Sequence, residues 1–150
     1  MSLRLVKLYP EQVARHWEFL SPLIEAALPP ISSNGTDRML SIFESILAGN
    51  LDVVQFFQLN EDSSVAARAF AVVAEISNID GTGKQLLVYS IYSFDNVTKA
   101  EIVEGLKLLT NYAKGQGCDA LTAYTNLPGL IAYFRRIGGS SDYSFIRLEV

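Results

Sequence analysis

Few side chains in this sequence are suited to acid–base or nucleophilic chemistry. Glu75 is one of two charged residues in the apolar segment Val65–Ser77. A carboxylate beside a cleft can act as a general base when desolvation raises its pKa, and solvation at a sheet edge is the alternative. His16, the single histidine, is either a general base or a surface or cap residue. Cys118 is interpreted as a structural thiol rather than a nucleophile, because His16 lies far away in sequence.

The composition is that of one compact domain, residues 1–150, without a basic surface. Apolar residues make up 49% and charged residues 19% of the chain, as in packed globular proteins. The net charge of −4 and the pI near 4.9 argue against nucleic-acid binding and weakly favour cationic partners such as amines. One cysteine and one histidine exclude an internal disulfide and predict no metal site. The sequence has no secretory apolar core and no apolar run of bilayer length, so we expect no membrane partner and a cytoplasmic location.

Hydrophobic periodicity predicts alternating groups of helices and strands. Turn-rich segments between the three middle strands predict an antiparallel meander, and apolar residues on both strand faces predict helices on both sides of the sheet. The predicted elements are a strand at Leu3–Leu8, a helix from Pro10 to about Ala27, a helix from about Thr36 with Leu40, Phe43 and Leu47 buried, strands at about Asp52–Leu59, Val65–Ser77 and Gln85–Phe94, a helix at Lys99–Lys114, a strand at Ala120–Thr125, a helix at Pro128–Ile137 and a final strand at Tyr143–Val150.

The segment Gln85–Arg136 is predicted to form a strand–helix–strand unit with two parallel strands. Thr98 and Glu101 have the capping-box spacing, so the helix is predicted to begin at Lys99. Such a unit points a helix N-terminus toward the carboxyl end of its first strand, where ligands of these sheets bind. Strict alternation along that strand places Tyr89 and Tyr92 on opposite faces.

The order of elements, the strand Gln85–Phe94 with its capped helix, the strand end at Tyr124–Asn126 and the segment AYFRRIGG at Ala132–Gly139 together resemble the GNAT family of acyl-CoA-dependent N-acyltransferases. The resemblance covers nearly the whole chain. It implies an α/β (α+β) fold with a mixed central sheet flanked by helices, in the order β-α-α-β-β-β-α-β-α-β.

The resemblance also implies a cofactor and an activity. Acyl-CoA, as acetyl-CoA or another acyl-CoA, is expected between two splayed parallel strands, with its pyrophosphate at the following helix N-terminus. The implied reaction transfers the acyl group to an unidentified small-molecule or peptide amine, and a homodimer is expected because dimers are common in the family. The residues implied to contact the cofactor are Ile91, Tyr92, Val97, Thr98, Lys99 and Asn126. For Asn126, at the junction of strand and helix, a local capping role is the alternative.

A tyrosine in the AYFRRIGG segment is the implied acid. The position of the family's tyrosine, which protonates the thiolate leaving group, falls on Phe134, and the adjacent Tyr133 is our candidate for that role. The turn Asp95–Ala100 carries no glycine where the family has a glycine-rich pyrophosphate turn. The sequence therefore leaves a second interpretation open, a catalytically inactive GNAT-fold binding or assembly module, including one encoded by a phage.

Overall fold

A computed structural model describes residues 3–29, 37–94, 97–125, 128–148 and 150 of the chain. The mixed α+β class is confirmed. The predicted order holds from the first strand to the last helix, except that the first predicted helix is divided into two. The elements are β1 (Leu3–Leu8), α1 (Pro10–Arg15), α2 (Trp17–Ala26), α3 (Arg38–Leu47), β2 (Asp52–Leu59), β3 (Val65–Ser77), β4 (Lys84–Ser93), α4 (Lys99–Gly115), β5 (Ala120–Ala123) and α5 (Pro128–Arg136).

The five strands form one sheet in the order β1-β2-β3-β4-β5. Neighbouring strands from β1 to β4 are antiparallel, whereas β4 and β5 are parallel and are joined through α4. Parallel neighbours require such a crossover, because the chain must return to the same end of the sheet. The antiparallel meander and the parallel pair are both confirmed.

Helices cover both faces of the sheet, as the two apolar faces of its strands predict. On one face, Leu86 of β4 packs in a core with Leu109 of α4. On the other face, Phe70 of β3 packs with Val13 and Leu20 of α1 and α2. The two buried layers hold the middle strands rigidly, which gives the end of β4 a defined position.

Helix α4 begins at the predicted residue, Lys99, and ends at Gly115, one residue after the predicted end. The Thr98 hydroxyl accepts a hydrogen bond from the N–H of Glu101 at 3.1 Å, and the Glu101 carboxylate accepts one from the N–H of Thr98 at 3.2 Å. At the other end Gly117 adopts a φ of +78°, a conformation that glycine adopts without steric cost and that commonly ends helices. The helix N-terminus is thereby held at the carboxyl end of β4.

Two details of the first helices differ from the predictions. The single helix predicted from Pro10 is broken at His16, an exposed residue that ends α1 and begins α2. In α3 the buried residues are Ile42 and Ile46, whereas Leu40 and Leu47 are exposed. Apolar side chains of α3 lie around much of its circumference, so packing against α1 and α2 decides which side is buried.

The predicted final strand, Tyr143–Val150, is not formed among the described residues. Residues 143–148 and 150 belong to neither a helix nor a strand, and their large apolar side chains are exposed. Alternating apolar residues make a segment capable of forming a strand, but a strand also needs a hydrogen-bonding partner. β5 is instead the last strand of the sheet as described.

Candidate active site

The parallel strands β4 and β5 are paired over only part of their length. Gln85–Val88 pairs with Ala120–Ala123, and the N–H of Tyr124 reaches the Val88 carbonyl at a long 3.4 Å. β4 continues to Ser93, and after Val88 it pairs with β3 alone in the described part of the chain. The carboxyl end of β4 therefore borders an opening in the sheet.

A bulge in β4 lies where the pairing with β5 ends. Val88 is opposite Val73 and Ser90 is opposite Val72, which leaves Tyr89 as an extra residue. Tyr89 packs in the core beneath α1 to α3, and Tyr92 lies opposite Phe70 of that same core. The two tyrosines thus share a face, contrary to the prediction from alternation. A bulge bends a strand and increases its twist, which separates β4 from β5 here.

An apolar cavity of 320 Å³ lies beside this opening. Its walls come from the sheet, from the first half of α4 and from α5, and they are mainly aliphatic. The lining includes Ala69, Ile91, Ile102, Gly105, Leu130 and Tyr133. A concave, mostly apolar space with a few polar groups is the usual form of a small-molecule site.

An ion pair at the edge of the cavity joins β3 to the first turn of α4. Arg68 donates to Glu101 through Nε at 2.8 Å and through Nη2 at 3.0 Å. Gln58 Nε2 adds a hydrogen bond to Glu101 Oε2 at 3.2 Å. The side chains of Arg68 and Glu101 are only 21% and 13% exposed, so the pair is largely shielded from water. Both residues line the cavity.

Each member of this ion pair stabilises the charged form of the other. Hydrogen bonding from Arg68 lowers the pKa of Glu101, with smaller contributions from the N–H and hydroxyl of Thr98, whereas burial opposes the shift. The same hydrogen bonding raises the pKa of Arg68. Glu101 is therefore a carboxylate, and Arg68 a cation, at neutral pH.

Acid should remove the stabilisation that Glu101 provides. Because its folded pKa lies below the ordinary 4.5, its contribution is complete above pH 4.5 and is lost as the pH falls through the lowered folded value. Urea unfolding at successive pH values should show this as a decrease in the free energy of unfolding. Asp62 and Asp80 also have lowered pKa values, from hydrogen bonds to Ser64 and Thr82.

The variant Glu101→Gln isolates the contribution of Glu101 to that decrease. Asp62 and Asp80 titrate in both proteins, so only the Glu101 contribution differs between them. An identical dependence of stability on pH in the two proteins would contradict the assignment.

The structure brings three of the predicted site residues to the cavity. Ile91, Val97 and Tyr133 all line it. The guanidinium carbon of Arg136 lies 5.5 Å from the centroid of the Tyr133 ring, a cation–π distance that restrains the ring. Tyr133, rather than Phe134, is the α5 aromatic residue in the lining.

Other predicted cofactor contacts lie at the margin of the cavity or away from it. Tyr92 lies on the opposite face of β4 and packs edge-to-face against Phe94, with ring centroids 5.4 Å apart. Thr98 and Lys99 are exposed at the start of α4 and are not part of the cavity lining. Asn126 lies outside the described residues.

Glu75 does not come to the cavity. It lies near the end of β3 and forms an ion pair with Lys84, Oε2 to Nζ, at 3.1 Å. Seven residues of strand, roughly 20 Å, separate it from Arg68 at the cavity edge. The structure thus supports the alternative interpretation of Glu75 as a solvated carboxylate.

The surroundings of Cys118 and His16 indicate structural roles for both residues. The Cys118 thiol is buried in the core beneath α4, and desolvation raises its pKa, which disfavours the nucleophilic thiolate. His16 is the exposed residue between α1 and α2, and its carbonyl accepts the N–H of Leu20 at 2.9 Å. It is a cap residue in this fold.

Arg68 was not predicted from the sequence as a site residue. A signal was present, because an arginine within the apolar run Val65–Ala74 needs a counter-charge when its strand is buried. Its partner Glu101 was assigned only to the local capping box. The contact between residues 33 positions apart required knowledge of how α4 packs on β3.

Comparison with known proteins identifies the fold. No family model matches the chain, and no curated protein matches it in sequence. Among solved structures, the aminoglycoside acetyltransferase AAC(6')-Iy, in complex with a CoA-containing bisubstrate analogue, has a TM-score of 0.67 at 13% identity, over 100% of this chain and 99% of that chain. The chain has a GNAT-like fold.

Further solved structures show the same likeness. A putative acetyltransferase from Pyrococcus furiosus has a TM-score of 0.65 at 17% identity, over 99% of this chain and 100% of that chain. A ribosomal-protein-alanine N-acetyltransferase from Brucella melitensis biovar Abortus 2308 has a TM-score of 0.64 at 11% identity, over 98% and 99%. These low identities are those of a divergent GNAT-like chain, and they establish the fold alone.

The cellular location and the number of domains are predicted from the sequence alone. In the described part of the chain, none of the helices combines the length and apolarity needed to cross a bilayer. The cytoplasmic location and the single domain at residues 1–150 stay predictions.

Proposed function

We propose that this protein is an acyl-CoA-dependent N-acyltransferase that transfers an acyl group, such as acetyl, to an amine. The observation that carries the proposal is the opening of the sheet after Val88 beside an apolar cavity. Ligands of α/β sheets bind at the carboxyl ends of their strands. The CoA-containing complex of AAC(6')-Iy supports the same class of donor for this GNAT-like fold.

The described residues fit the pantetheine arm of the donor. In the described part of the chain, the backbone of β4 at Ile91–Ser93 has no strand on its β5 side, which leaves an edge for the amides of the arm. The side chains of Ile91, Val97 and Leu130 provide apolar surface for its carbons. When bound, CoA supplies the acyl thioester.

Tyr133 is the proposed proton donor of the transfer. The amine nitrogen forms a bond to the thioester carbonyl carbon, and the bond from that carbon to sulfur breaks. The Tyr133 hydroxyl donates a proton to the departing sulfur and regains one from solvent. The proton that the amine loses passes to solvent, because Glu75 lies at a distance.

The proposed acceptor is a small-molecule or peptide amine. The net charge of −4 favours the approach of a cationic amine. AAC(6')-Iy and the ribosomal-protein-alanine N-acetyltransferase are named for two such acceptor classes. We retain the homodimer as a proposal, because the edge of β5 carries no further strand among the described residues.

Acetyl-CoA should bind and raise the melting temperature of the purified chain. At millimolar acetyl-CoA, preferential binding to the folded state should shift the thermal transition upward. The variant Gly105→Leu should abolish the shift, because an added Cβ there already lies 3.7 Å from Leu3 and Phe56, which also line the cavity. Thermal shift and calorimetry measure both effects.

A matched control uses the same substitution on the same helix. Gly115 is exposed, with nothing within 4 Å of an added Cβ, so Gly115→Leu should keep the acetyl-CoA shift. If wild-type protein neither binds acetyl-CoA nor melts later in its presence, the transferase proposal fails.

A non-catalytic GNAT-fold binding or assembly module is the second candidate. The observation favouring it is that Glu101 places a negative charge in the first turn of α4, where a cofactor phosphate would otherwise be stabilised. Failure of acetyl-CoA to bind would select this candidate.

A further inference from the structure

The N-terminal turn of α4 already contains an anion, the carboxylate of Glu101. Both of its oxygens accept hydrogen bonds from Arg68, and further donors are Gln58 Nε2 and the N–H of Thr98. The carboxylate thus occupies the position where the helix dipole and its cationic neighbour favour negative charge most.

The capping box uses two of the four N–H groups that this helix start leaves without an intrahelical partner. The N–H of Glu101 bonds to the Thr98 hydroxyl, and the N–H of Ile102 bonds to the Thr98 carbonyl. Within the part of the chain that the structure describes, Lys99 and Ala100 are the first-turn residues whose N–H groups have no hydrogen-bond acceptor. A diphosphate would find few donors here.

The charges at this edge of the cavity are also balanced before any ligand arrives. Arg68 is committed to Glu101 through two hydrogen bonds, so together the pair has no net charge. A diphosphate at equal distances from the two groups would be repelled by the carboxylate as strongly as it is attracted by the guanidinium. Lys99 is an exposed cation, and solvent screens its attraction.

In contrast to this charged edge, the interior of the cavity favours binding of an uncharged, largely apolar ligand. Its walls include the apolar side chains of Ile91, Ile102 and Leu130, and the edge of β4 at Ile91–Ser93 has no strand on its β5 side among the described residues. Burial of an extended apolar and amide-containing arm there gains free energy from removing its carbons from water.

We propose that this protein recognises its acyl donor through the pantetheine thioester arm, and that the phosphorylated nucleotide end contributes little affinity. It follows that S-acyl-pantetheine, which lacks every phosphate, is also a donor, and that it binds with an affinity similar to that of acyl-CoA. This inference rests on the proposed function, since it concerns the donor of the same transfer.

Calorimetry with two probes tests the inference. Acetyl-CoA and S-acetylpantetheine share the arm and thioester and differ in the phosphorylated nucleotide. We expect their dissociation constants to agree within about tenfold, since each factor of ten reflects about 1.4 kcal/mol. Acetyl-CoA binding that is more than about tenfold tighter would overturn the inference while leaving the proposed function intact. If neither probe binds, the proposed function fails and the inference with it.

The variant Glu101→Gln tests the cause. Glutamine preserves the capping box but removes the resident negative charge. Acetyl-CoA should bind this variant at least about threefold more tightly, whereas S-acetylpantetheine should bind as to the wild type. Unchanged binding of acetyl-CoA to a folded Glu101→Gln protein would show that Glu101 does not exclude the diphosphate.

Discussion

Replacement of Tyr133 by phenylalanine is expected to lower kcat for acyl transfer from acetyl-CoA by about 10²-fold, the lower end of the range for a lost general acid. The low end applies because a thiolate is already a stable leaving group, with an ordinary thiol pKa of about 8.5. The phenyl ring still lines the cavity, so acetyl-CoA should bind as before. Steady-state kinetics with an assay for free thiol, paired with calorimetry, separates the two effects.

Tyr143 provides the matched control for this substitution. Its side chain is 95% exposed and belongs to no helix or strand, so Tyr143→Phe should leave kcat and binding unchanged. A Tyr133→Phe protein that binds acetyl-CoA and retains wild-type kcat would remove Tyr133 from the proposed mechanism.

Replacement of Arg68 by methionine is expected to lower the free energy of unfolding by about 3 kcal/mol, because it leaves the Glu101 carboxylate shielded from water without its counter-charge. Methionine keeps much of the aliphatic volume of arginine, so the loss reports the charge rather than a cavity. Urea unfolding at neutral pH measures the change. Adding Glu101→Gln should recover part of the stability, since the uncompensated charge is then removed.

The ion pair between Lys84 and Glu75 is the control for burial. Its side chains are 36% and 37% exposed, and an exposed pair contributes about 1 kcal/mol or less. Lys84→Met should therefore cost far less than Arg68→Met. Equal costs would mean that the Arg68–Glu101 pair is no more shielded electrostatically than a surface pair.

Local patterns made parts of this fold predictable. The capping box at Thr98 and Glu101 acts over three residues, and the helix begins where that pattern places it. The turn-rich joints predicted the antiparallel strands, and the long crossover predicted the parallel pair. Of the predicted site residues, Ile91, Val97 and Tyr133 line one cavity, and their roles as cofactor contacts and proton donor stay predictions.

Other features required the folded chain because their causes act over long distances in sequence. Alternation misplaced Tyr92, because the bulge at Tyr89 depends on how β4 pairs with β3. Glu75 was a plausible base in the strand pattern, but packing places it with Lys84 at the far end of β3. The segment Tyr143–Val150 has a strand pattern, and whether it forms a strand depends on a pairing edge rather than on its own residues.

The sequence by itself determined most of the order of elements from β1 to α5, the capped helix and the resemblance that predicted a splayed parallel pair. Periodicity and capping are local properties, so they are encoded in neighbouring residues. Only the tertiary structure decided that Arg68 of β3 meets Glu101 of α4, because such a contact follows from how two elements pack. That pair places the chain's own carboxylate in the helix turn expected to hold a phosphate, and the apolar cavity is the binding surface that we propose.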